Sequence, residues 1–184
     1  RLVPQGADVV VVQGLDGEAR HHGLDDLELV ARAFDVGANN IAEGLMNQLA
    51  AGRLKAYSAG SHPKGAVHPL ALHVLQKDGV DISGLRSKSW DEFARPDAPA
   101  LHFVFTVCDK AAGEVCPVWP GQPITAHWGM PDPAAVVGRE SVRETAFLAT
   151  LIHMRRRIQL LIALPLASLD RMAIQREVHD IGTR

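Results

Sequence analysis

Two strand-like segments with a run of breakers between them constrain this chain more than any other feature. His102 to Val107 (HFVFTV) is short, apolar and β-branched, the composition of a strand buried on both faces, and it ends at Cys108 and Asp109. Cys108 is therefore expected at the C-terminal end of a strand, where ligands and chemistry gather in an open parallel α/β sheet. A seven-residue spacer, Asp109 to Val115, separates it from Cys116. Pro117, Trp119, Pro120 and Gly121 then follow, too rich in breakers for a helix or a central strand. A second strand candidate, Ile124 to His127, leads into Trp128-Gly129-Met130-Pro131-Asp132-Pro133. That arrangement delivers the Asp132 carboxylate on a proline-stiffened loop to the same sheet edge, and Ser58 is expected there too.

The rest of the chain alternates in kind. Ala7 to Val12 (ADVVVV) suits a central parallel strand and runs into a polar, glycine-rich loop from Gln13 to Gly23. Asp25 and Asp26 are placed to cap a helix through Leu27, Val30, Ala31 and Phe34. Gly37, Asn39 and Asn40 break that period, and Ile41, Leu45, Met46 and Leu49 resume it. Leu54 to Ser58 reads as a strand, and Pro69 to Gly79 as a helix with proline in and glycine out. Ser83 to Phe93 reads as a short helix and loop. From Glu140 to Leu164 an apolar stripe (Phe147, Leu151, Met154, Ile158, Leu161) predicts a long helix packed on a sheet. Leu166 to Val178 predicts a last helix, with Ser168 as N-cap. Strands alternating with helices argue a parallel sheet covered on both faces.

Composition removes several function classes. Nineteen basic and 21 acidic residues give a net charge of −2, so no global field draws in nucleic acid or an anionic membrane. No apolar run reaches the roughly 20 residues of a membrane helix. Two cysteines do not make a secreted disulfide scaffold, which points to a reducing cytoplasm. Nine histidines include His62, His68 and His73 near one loop and helix, but no His-x3-His or Cys-x2-Cys spacing supports a metal site, and no cofactor is expected. Arg155 to Arg157 reads as a solvated helix face. The first residue is arginine, not methionine, so a processed product, a fragment or a misread frame is expected.

TVCDKAAGEVCP followed by HWGMPDPA resembles the distal half of arsenate reductases of the low-molecular-weight tyrosine phosphatase superfamily. KAYSAGSHP (Lys55–Pro63) is similar to that family's second strand and loop, and GLRSKSWDEF (Gly84–Phe93) continues the likeness. The resemblance runs from Ile41 to near Gly182 and divides the chain into a divergent segment, 1–40, and a phosphatase-like domain, 41–184. It implies an α/β three-layer sandwich around a four-stranded parallel sheet, Rossmann-like in its winding. Between first strand and first helix, the family carries a C-x5-R phosphate loop whose thiolate attacks an oxyanion held by backbone N–H groups and the arginine. Aligning Ile41-Ala42-Glu43 with the family's helix opening puts the cysteine position near Arg32 and the arginine near Ala38; neither residue can do the job. A loop after ADVVVV, Gln13 to Arg20, has no cysteine either, and no C-x5-R occurs anywhere in the chain.

Three catalytic candidates remain. Cys108 and Cys116 resemble the resolving pair of the thiol-relay reductases, which implies a thioredoxin- or glutaredoxin-type reductant as partner; the alternative is a buried strand-end thiol and a loop thiol. Asp132 resembles the general acid; the alternative is a turn carboxylate beside prolines. Three functions follow: an arsenate reductase by descent that is inactive as written, a non-catalytic binding module of the same fold, or a phosphotyrosine phosphatase. The missing nucleophile leaves an oxyanion substrate without its covalent partner.

Overall fold

The computed structural model describes residues 8–13, 27–32, 37–61, 63, 65–108 and 119–184; of residues 8–13, 27–32 and Cys108 it describes the backbone alone. Nine regular elements follow in order: β1 (Asp8–Gln13), β2 (Leu27–Arg32), α1 (Ala38–Leu49), β3 (Leu54–Gly60), α2 (Pro69–Lys77), β4 (Phe103–Cys108), β5 (Ile124–Met130), α3 (Glu140–Ile162) and α4 (Arg171–Gly182). Short 3-10 turns at Trp90–Glu92, Pro133–Ala135 and Leu166–Ser168 punctuate the loops.

The expected four-stranded parallel sheet is instead a five-stranded mixed sheet in the order β1-β3-β2-β4-β5, with β1 also in register with β2 and β4. β2 runs parallel to β3 and β4, and β5 parallel to β4, which makes a four-strand parallel frame. β1, expected to be its first strand, runs antiparallel to β3 from Asp8↔Gly60 to Gln13↔Lys55. The predicted helix beginning at Leu27 is strand β2. Its apolar residues satisfy both periods, because Leu27, Leu29 and Ala31 alternate while Leu27, Val30 and Ala31 fall at helical spacing; pairing with Leu54, Ala56 and Phe105 decides in favour of the strand. α1 starts inside the stretch that seemed to break a helix, and α4 is capped by Asp170, not Ser168, with Ala173 N donating to Asp170 Oδ1 at 2.8 Å.

Alternation along the strands separates two cores. Phe103, Phe105 and Val107 of β4, with Ala126, Trp128 and Met130 of β5, face the helices, and residues of all four helices join this one cluster. Phe105 stacks on Trp128 with ring centroids 4.1 Å apart. Val104 and Ala59 face the other way, onto Leu101, Phe93 and Trp119, so this side is covered by loop aromatics and not, among the described residues, by an α-helix. No described helix is long and apolar enough to cross a membrane.

Two arginines of the run on α3 are structural, and Arg156 is exposed. Arg155 pairs with Asp78, and Arg157 donates to Trp128 O at 2.7 Å, Gly129 O at 3.2 Å and Gly182 O at 2.9 Å. Arg157 thereby ties α3 to the end of β5 and to the C-terminus of α4, and α4 covers the outer edge of β5. Gln175 donates to Thr125 O at 2.6 Å, Arg171 to Gln122 O at 2.5 Å, and Trp128 Nε1 to Val178 O at 2.8 Å. Side chains of α3 and α4 thus occupy the Thr125, Trp128 and Gly129 carbonyls of β5, which blunts this edge against pairing with another chain.

Candidate active site at the β2–α1 junction

The parallel frame brings its functional positions to one end. β2 ends at Arg32, β3 at Gly60 and β4 at Cys108, and Cys108 pairs in register with Met130, two residues before Asp132. Ser58, Cys108 and Asp132 therefore collect at the C-terminal edge of the sheet. Cys116 lies outside the described residues, as does His62.

α1 opens beside this edge. Its N-cap, Gly37, has φ +81°, and a Cβ there would stand 2.6 Å from Phe147 Cε1 and 2.8 Å from Ala71 Cβ, so glycine is required on both conformational and steric grounds. Phe147 in turn stacks on His68, whose Nδ1 accepts from Leu70 N at 3.2 Å to cap α2. The first turn of α1 carries no acidic residue, and Gly37 supplies no side-chain cap. Such a helix start favours negative charge.

Beneath it lies a polar network that inspection of the sequence missed. Residues 38–46 of α1 are buried all round, and they include Asn40 and Glu43. Asn40 Nδ2 donates to Ser58 Oγ at 2.7 Å, and Ser58 N donates to Glu43 Oε2 at 2.7 Å. Lys88 Nζ donates to Glu43 Oε2 at 3.0 Å, to Ser58 Oγ at 3.3 Å and to Arg86 O at 3.2 Å. The Lys88 and Glu43 side chains are 2% and 5% exposed. Burial pushes the Glu43 carboxyl above its ordinary pKa, against the neighbouring Lys88 ammonium, and the same burial pushes Lys88 below its own. Gly60 N donates to Lys88 O at 2.8 Å, and Arg86 makes a bidentate pair with Glu92 at 2.9 and 2.5 Å, so the Gly84–Phe93 segment is anchored to the end of β3. A charged residue on the apolar face of a helix, flanked by Ala42 and Met46, was the available signal for Glu43.

Asp132 caps the turn that follows it: its Oδ1 accepts from Ala134 N at 2.8 Å. Pro131 and Pro133 fix the loop, and beside it is a cavity of about 210 Å³ lined by Met130, Val136, Ala149 and His153. Among the described residues no group of three or more His, Cys, Asp or Glu side chains is arranged to hold a metal ion. Of the histidines near that loop and helix, His73 pairs with Glu144 at 3.2 Å.

A helix-backed parallel frame with its polar network under the first helix and a PDP loop at the same end defines an α/β sandwich of the low-molecular-weight phosphatase type. Residues 37–172 match the profile of the low molecular weight phosphotyrosine protein phosphatases, and the chain belongs to that family. The match begins at the N-cap of α1. Among curated relatives, arsenate reductase 1 of Staphylococcus epidermidis is 33% identical over 96 residues, covering 52% of this chain and 69% of that protein. The glutaredoxin arsenate reductase of Synechocystis sp. is 30% identical over 95 residues, again 52% and 69%. An arsenate reductase solved in the oxidized state superposes with a TM-score of 0.57 at 26% identity, covering 73% of this chain and 93% of that one. One in the phosphate binding state gives 0.54 at 26% identity with the same coverage.

Proposed function

We propose that this chain is an arsenate-reductase-like member of its family that does not turn over arsenate or phosphate esters, because the junction between its first parallel strand and first helix carries no nucleophile. The observation that carries this reading is the placement of β2 and α1. β2 ends at Arg32 and α1 begins at Ala38, five intervening residues apart, so the positions that would hold the cysteine and arginine of a C-x5-R loop are an arginine and an alanine. Both cysteines of the chain are elsewhere, at 108 and 116.

The parts around the missing group support binding more than turnover. The start of α1 attracts an oxyanion, and the Asn40–Ser58–Glu43–Lys88 network holds the helix in place beneath it. Asp132, on its rigid loop, is positioned as a general acid for a leaving oxygen, but without a covalent intermediate it has nothing to protonate. An external two-electron oxidant such as a peroxide would take two electrons and two protons from Cys108 and Cys116 to form a disulfide, and a thioredoxin- or glutaredoxin-type dithiol would return them; the name of the Synechocystis relative favours such a partner. The retained cysteine pair gives a phosphotyrosine phosphatase no comparable support.

Loss of a nucleophile from a catalytic unit costs on the order of a millionfold in rate, so any surviving oxyanion affinity does not rescue turnover. Purified chain assayed with arsenate plus a thiol reductant, and separately with an aryl phosphate, should show no rate above background. Turnover that disappears in Cys108→Ser would overturn the reading and make Cys108 the nucleophile.

A further inference from the structure

Between α3 and the PDP loop lies a space that no described side chain fills. This cavity of about 210 Å³ beside Asp132 is walled on the loop side by Met130, Pro133 and Val136, and on the helix side by Ala146 and Ala149. Two features keep it open. Ala146 and Ala149 are too short to reach across, and the rings of Pro131 and Pro133 stiffen the loop against closing onto the helix. An apolar void forfeits the contacts that a fitting molecule would restore, and one of roughly 150 Å³ is enough for a benzene ring.

The polar groups on the wall are few, and most are spent or peripheral. Thr150 Oγ1 donates to Ala146 O at 3.1 Å. His153, on the exposed side, is the only basic residue of the lining. Asp132 Oδ1 accepts from Ala134 N at 2.8 Å, and among the described residues Asp132 has no other hydrogen bond and no ion pair. Its second oxygen is therefore free, on a half-buried carboxylate set against an apolar chamber.

We propose that this cavity is a binding site for small apolar cations, primary aryl or alkyl amines whose hydrocarbon part fills the space and whose ammonium donates to Asp132. Apolar walls with one placed charged group are the make-up of a small-molecule site, and the charge selects the ligand. An anion of the same shape meets a like charge, and a neutral molecule covers the carboxylate without the charge-assisted bond that compensates its lost solvation. The site uses neither the start of α1 nor a thiol, so it stands whether or not the chain turns over arsenate.

Titration of the nitrogen-labelled full-length chain with benzylamine, followed through its amide chemical shifts, tests the proposal, with benzyl alcohol as the neutral probe of the same shape. Benzylamine should give saturable shifts centred on residues 130–136 and 146–153, with a Kd on the order of 1 mM for so small a ligand. Benzyl alcohol should bind at least ~10-fold more weakly. Asp132→Asn keeps an oxygen to cap the turn and should bring benzylamine down to the level of the alcohol. Ala149→Phe, which fills the cavity from an exposed position of α3, should abolish binding of both probes. Shifts that do not saturate in those segments, equal affinity for the two probes, or benzylamine binding undiminished in Ala149→Phe would each overturn the proposal. The two-probe comparison and Ala149→Phe decide it even if Asp132→Asn does not fold.

Discussion

Lys88 and Glu43 show how much of the site's architecture hangs on one buried pair. Removing one partner of a buried ion pair leaves the other charge uncompensated, so Lys88→Met is expected to cost about 3–5 kcal/mol in denaturant unfolding. Adding Glu43→Gln should recover a large part of that loss, since a neutral amide still accepts from Ser58 N. The pH dependence follows from the directions of the shifts. The folded-state pKa of Glu43 lies above its ordinary 4.5, so the folded protein holds that proton more tightly than the unfolded chain, and the contribution favours folding in acid and fades as pH rises through the raised value. Lys88 is the group that opposes this shift. The deficit of Lys88→Met relative to the unsubstituted chain should therefore be smallest below about pH 4.5 and grow above it, and unfolding curves across that range check the sign; a deficit that shrinks with rising pH would contradict the pairing.

Among the elements, α4 has the clearest single task, and one glycine permits it. A Cβ on Gly182 would lie 2.2 Å from His127 O and 2.7 Å from Trp128 Cδ1, both in β5. Gly182→Val is expected to lift the end of α4 off β5, break the Arg157 bond to Gly182 O, and lower hydrogen-exchange protection across Ile124–Met130 while leaving β3 protected; unchanged protection in β5 would show that α4 does not guard that edge. The element scale also shows where sequence reasoning worked and where it could not. α2, β4, β5 and α3 were legible because capping residues, breakers and long periodic stripes agree with one another. β2 was not, because six residues with alternating and helical apolar positions carry no preference until β3 and β4 are beside them. α4 was placed four to five residues early because Ser168 and Asp170 are both good caps and the 3-10 turn Leu166–Ser168 uses up the first of them.

At the scale of the molecule, the positions of the candidate residues were legible and their connections were not. Strand-end logic brings Ser58, Cys108 and Asp132 to one sheet edge, but the Lys88–Glu43 network joins residues 45 positions apart in sequence, and no local pattern encodes it. The cysteine pair has its own test: bridging Cys108 and Cys116 requires their Cα atoms within about 7 Å. Mild oxidation followed by alkylation and mass spectrometry should find an internal disulfide; two free thiols at every oxidant level would leave both as structural residues. The central claim is that the β2–α1 junction is the family's oxyanion site without its nucleophile. Arg32→Cys combined with Ala38→Arg restores C-x5-R there, and the direct measurement is aryl phosphate hydrolysis by that variant beside the unsubstituted chain. The account predicts hydrolysis at least ~100-fold above the unsubstituted chain, a small part of what a positioned thiolate can supply. A folded double variant no more active than the unsubstituted chain would contradict it.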